Sequence, residues 1–131
     1  MNSILVLLTM IFLHIVADYN LQGWLASAKQ KKYWEDETTK MGMSQDEKNK
    51  YKYDYIIALL THSFAWTFLF MLPLIFVFKI SILYYILFVI NVVLHVFIDD
   101  LKANKFKINL VQDQLLHFVQ IVVTWALIWL L

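Results

Sequence analysis

The 131-residue chain has no cysteine and no arginine, one proline, two glycines and only 16% charged residues. Without cysteine there is no disulfide scaffold. Without arginine, and at a net charge of +1, there is no concentration of positive charge to hold nucleic acid. The sequence has no Gly-rich phosphate loop, nucleotide site or Ser/Cys nucleophile constellation. Few turn residues and no apolar/polar alternation exclude a membrane β-barrel. The charged share lies well below the usual quarter, and the apolar share of 61% exceeds the roughly 45–50% of soluble domains. That argues against both an ordinary globular protein and a disordered chain. The composition is that of one small, all-α, integral membrane domain.

Charge is segregated. Of the 21 Lys, Asp and Glu residues, 13 fall between Lys29 and Asp54, leaving four long apolar stretches. A spanning helix needs about 20 apolar residues, which predicts a four-helix bundle with spans at about 1–22, 52–78, 80–101 and 111–131. A long charged connector, 26–51, separates the first two. Ala26-Ser27-Ala28 resembles a signal-peptidase site. Because no Lys or Arg precedes the apolar run and Asp18-Tyr19-Asn20 interrupts it, the first stretch is expected to be a retained helix. The connector reads as solvated and interfacial, with Trp24, Tyr33, Trp34, Tyr51, Tyr53 and Tyr55 suited to the headgroup layer. Gly42 offers a break, and Ser44-x-x-Glu47 is a capping box that would start the second helix.

A turn at Lys79 with Pro73 inside the second span places His62 and His95 about 24–26 Å from the far surface. His14 and His117 lie at similar depth, so all four histidines fall in one layer. Lysines concentrate on the side of the connector and of Lys102, Lys105 and Lys107. By the positive-inside rule that side is cytoplasmic, the termini are outside, and the expected location is the inner (cytoplasmic) membrane of a cell.

The chemistry gathers at the cytoplasmic ends of the spans. His14 and Asp18, His95 and Asp99, and Asp113 and His117 are each four apart and share a helix face. With His62 they offer up to seven donors to a divalent transition metal, Zn²⁺ or Mn²⁺/Fe²⁺, as one or two ions. Ionisable groups at membrane depth are costly unless paired or ligating. A metal-free His–Asp hydrogen-bond network is the competing reading of the same seven residues. Gln22, Asn91, Lys102 and Gln114 extend the polar stripes as supporting or substrate-contacting groups, whereas Asp100, turned about 100° from Asp99, reads as a helix-end charge. Two functions follow. One is a metal-dependent hydrolase of a lipid or amphiphile, anionic lipid included, with Asp18, Asp99, Asp113 and His62 in catalytic roles. The other is a non-enzymatic ion-binding, transport or regulatory protein whose cluster is structural. A homo-oligomer is compatible with either. A pore is disfavoured because the outer halves of the spans are apolar.

His14-x-x-x-Asp18-Tyr19-x-Leu21-Gln22, the isolated His62, His95-x-x-x-Asp99-x-x-Lys102, and Phe106 followed by Asp113-Gln114-x-x-His117 together resemble a domain-of-unknown-function family of small bacterial and phage integral membrane proteins. More distantly, they are similar to small membrane-bound metal-dependent hydrolases. The resemblance covers all four spans at their polar positions. Tyr19 stands where that family more usually has Phe, and the charged connector looks like an insertion.

Overall fold

The structure, a computed structural model, describes residues 2–78 and 80–130, and among them it is all-helical. Helix α1 (Ser3–Ile15) opens on an Asn2 cap and runs directly into a π-helical segment, Val16–Leu21. Three short helices follow: α2 (Leu25–Ala28), α3 (Lys31–Lys40) and α4 (Gln45–Lys50). The long helices α5 (Asp54–Val77), α6 (Ile82–Ala103) and α7 (Leu110–Leu130) complete the chain. The break between α5 and α6 falls where the turn was expected; Lys79 itself lies outside the described residues, as do Met1 and Leu131 at the ends of the expected first and last spans.

Four segments, Ser3–Leu21, Gln45–Val77, Ile82–Ala103 and Leu110–Leu130, are long and apolar enough to cross a membrane, which suggests a multi-pass membrane protein. They close into a ring in which α1 packs on α5 and α7, α5 on α6, and α6 on α7. The interior is filled by Val6, Met10, Trp66, Phe70, Met71, Leu74 and Ile121, while Ile4, Phe12, Phe64, Phe76, Val89 and Phe97 point outward. Helices surrounded by lipid gain nothing from hiding apolar area from one another, so close packing and interhelical hydrogen bonds must hold such a ring. Asn91 and Thr124 bond across α6 and α7 at 2.9 Å, and the Gln120 amide donates to the Asn91 carbonyl at 2.8 Å. Pro73 sits buried inside α5, which continues through it to Val77.

The connector is more ordered than its composition suggested. Gly23 (φ +50°) turns the chain out of the π segment, and Gly42 (φ +68°) separates α3 from α4. Both values lie in the left-handed region that glycine adopts without strain. The Ser44–Glu47 capping box is present, but it starts α4, and a turn at Tyr51–Tyr53 intervenes before α5. α2 and α3 pack against α5. Their cohesion is aromatic: Trp34 stacks on Tyr51 and meets Trp24 and Tyr33 edge to face, and its indole N–H donates to the Ala28 carbonyl at 2.8 Å. Ala28, Lys29 and Thr38 are consequently buried. The connector is a cap seated on one end of the ring.

Candidate metal centre

Beneath this cap the end of α1, the start of α5, the end of α6 and the start of α7 bring their histidines together, and the π segment adds Asp18. Ring centroids of His62 and His95 are 5.1 Å apart, those of His95 and His117 4.2 Å, and those of His117 and His14 5.8 Å. The single layer expected from depth is therefore a continuous row. Helical spacing of four sets each carboxylate near its own imidazole: His14 Nδ1–Asp18 Oδ2 is 3.8 Å, His95 Nε2–Asp99 Oδ1 3.6 Å and His117 Nε2–Asp113 Oδ1 3.5 Å.

Asp99 is the hub. Its Oδ1 lies 3.3 Å from His117 Nε2 and its Oδ2 3.4 Å from His62 Nε2, which is also 3.4 Å from Asp18 Oδ1. Two groups have ligand atoms that could share one ion, all within 4.8 Å of one another: Asp18, His62 and His95, and His95, Asp99 and His117. Ligands at about 2.0–2.2 Å from a tetrahedral ion are separated by edges of about 3.3–3.6 Å, the range of the Asp99 and Asp18 contacts to His62, His95 and His117.

Hydrogen bonding does not account for these contacts. Asp18 Oδ1, Asp113 Oδ1 and both ring nitrogens of His95 and His117 are buried without a hydrogen-bond partner. Each such atom costs about 1–3 kcal/mol when left unsatisfied, and here they crowd one layer. Stacking fixes the rings instead: Trp66 lies 4.0 Å from His95 at 25°, and His95 stacks on His117 at the same angle. This orients the imidazoles while leaving their nitrogens free to coordinate.

The other candidates surround this centre. His14 accepts the Trp66 indole N–H on Nδ1 at 2.7 Å and, in the matching tautomer, donates from Nε2 to Gln114 Oε1 at 3.2 Å. Both of its nitrogens are thus engaged by protein, and it falls outside the two groups. Gln114 donates its amide to Asp18 Oδ2 and Asp113 Oδ2, at 3.1 and 3.2 Å, tying α7 to the π segment. Gln22 donates to the His62 ring, 2.9 Å from Nε2. Lys102 bonds Asp113 Oδ2 at 2.7 Å. Asn91 belongs to the deeper Thr124–Gln120 network, and Asp100 bonds Asn104 and Lys105 at the end of α6.

Two residues of the site were not singled out from the sequence. Lys29, from the cap, is nearly buried and places its Nζ 2.6 Å from Asp99 Oδ2. Its only sequence signal was membership of a lysine-rich connector. Trp66, fully buried, lies one helical turn beyond His62, a spacing that could have marked it. Compared with protein-family models, curated proteins and solved structures, the chain matches none.

Proposed function

We propose that the chain is a four-span protein of the inner (cytoplasmic) membrane whose His/Asp layer holds one or two divalent transition-metal ions, Zn²⁺ or Mn²⁺/Fe²⁺, and hydrolyses a lipid or other amphiphile. The reading places connector and centre on the cytoplasmic side and the termini outside, and it includes kinship with the small membrane family that the polar positions resemble. One observation carries it: buried histidine nitrogens and carboxylate oxygens lie at the edge lengths of a tetrahedral site, and those of His95, His117, Asp18 Oδ1 and Asp113 Oδ1 have no hydrogen-bond partner. A bound ion would supply charge to polarise a scissile phosphoryl or carbonyl group and acidify a water. Asp18 and Asp113 each keep one oxygen free of hydrogen bonds beside that layer, which suits them to move a proton. Lys29 and Lys102 bring positive charge next to the carboxylates and favour an anionic substrate group.

A non-enzymatic ion-binding, transport or regulatory role with a structural cluster is favoured by a different observation. Asp99 and Asp113 are already paired with ammonium groups, and His14 is fully bonded. Elemental analysis of protein purified in mild detergent under metal-replete conditions decides whether an ion is held. The wild type is expected to retain at least one equivalent and His95→Ala/His117→Ala to lose it. A metal-free wild type overturns the proposal.

A further inference from the structure

An open cavity lies away from the histidines, in the cap. It encloses about 450 Å³ between α3, α4 and the turn into α5. Lys31, Lys48 and Lys52 line it against a single carboxylate, Glu35. Lys31 lies a loose 3.8 Å from Glu35. Lys48 donates only to the neutral Thr39 hydroxyl at 2.9 Å, and Lys52 stands 5.3 Å from the Tyr53 ring. Among the described residues, neither Lys48 nor Lys52 has a carboxylate within ion-pair distance. One wall is rigid: Trp34 and Tyr51 stack at 14°, and Trp34 is held by its bond to the Ala28 carbonyl.

We infer that this cavity binds the phosphate group of an anionic membrane lipid, a second ligand site separate from the His/Asp layer. The volume falls within the range of small-molecule sites. Three lysines lining a polar cavity against one carboxylate favour an anion, and phosphate accepts several ammonium hydrogen bonds at once. The source is a lipid rather than a soluble ester, because the cavity sits on the cap at the end of four apolar helices, where Trp and Tyr side chains mark the headgroup level. The inference rests on the membrane-spanning part of the proposal above and not on its metal.

The test is lipid retention by native mass spectrometry on the full chain in an uncharged detergent. Wild type equilibrated with phosphatidylglycerol is expected to keep one lipid per chain and to discard phosphatidylcholine. Lys48→Gln/Lys52→Gln should hold phosphatidylglycerol about tenfold less well, whereas Lys105→Gln, whose lysine pairs with Asp100 outside the cavity, should hold it as wild type does. The His95→Ala/His117→Ala variant should also retain it, so loss of metal and loss of lipid are separable. Displacement by inorganic phosphate at millimolar concentration would identify the phosphate group as sufficient for binding. Resistance to that displacement would show that the rest of the lipid contributes as well. Equal retention by the Lys48/Lys52 variant and the wild type, or of phosphatidylcholine and phosphatidylglycerol, overturns the inference.

Discussion

At the residue scale the site turns on Asp99, whose two oxygens face three histidines while one of them also holds the Lys29 ammonium. Removing one partner of a buried pair leaves the other charge uncompensated, typically at about 3–5 kcal/mol. Asp99→Asn is therefore expected to lower the melting temperature sharply, and Asp99→Asn/Lys29→Met to recover most of that loss. A double-mutant cycle followed by thermal melting in detergent checks the coupling. Trp66 offers a finer separation. Trp66→Phe loses the bond to His14, about 1 kcal/mol, but keeps a ring against His95; Trp66→Leu loses the stack as well. Because groups that orient ligands typically contribute 10–100-fold to metal affinity, chelator competition should show near-normal affinity for Trp66→Phe and a fall of about that size for Trp66→Leu. The His/Asp cluster was legible in the sequence because a helix repeats every 3.6 residues, so His95 and Asp99 share a face wherever their helix packs. Lys29 was not legible, since its burial depends on how a polar segment folds back.

Among the elements, the π segment is the one without a sequence signal. Its i→i+5 bonds insert one residue more per turn than the flanking α-helix, and they set the direction in which Gln22 leaves Asp18. Deleting the exposed Tyr19 should convert this turn to ordinary α-helix, tightening the turn that carries Asp18 and shifting its carboxylate while the residues after it keep nearly their present direction. The expected outcome is unchanged helical content by circular dichroism with loss of metal retention. Retained metal would mean that the π geometry is dispensable. The long helices were legible from apolar length alone, and the Gly42 break and capping box from local chemistry. The connector's seat on the ring was not, because it depends on aromatic packing among Trp24 before α2, Tyr33 and Trp34 in α3, and Tyr51 after α4. At Phe106 the chain between α6 and α7 adopts φ +54°, a left-handed value costly for a bulky residue with a Cβ. Phe106→Gly should therefore raise the melting temperature slightly.

For the whole molecule, four helices meet at one layer, and anything bound there belongs to all of them. An ion held by α5, α6, α7 and the π segment would stabilise the ring by linkage between binding and folding. Chelator should lower the melting temperature of the wild type and leave that of His95→Ala/His117→Ala unmoved. Asp18→Asn and Asp113→Asn separate chemistry from scaffolding: a catalytic centre predicts lost activity at nearly unchanged chelator-treated stability, a structural one a loss of function only in step with folding.

Asn104 clasps the cap from both sides of Lys29's neighbourhood, donating to the Lys29 carbonyl at 3.1 Å and accepting the Lys31 N–H at 2.7 Å. With His95 and His117 fully covered beneath it, traffic to and from the layer becomes a question of rates. An ion held inside would leave when the clasp lets go, a local opening far less costly than unfolding the ring. Its escape should then follow a single first-order time constant that excess chelator does not shorten. Asn104→Ala should shorten it while the equilibrium affinity stays the same, and stopped-flow release at two chelator concentrations distinguishes such a gate from an open door.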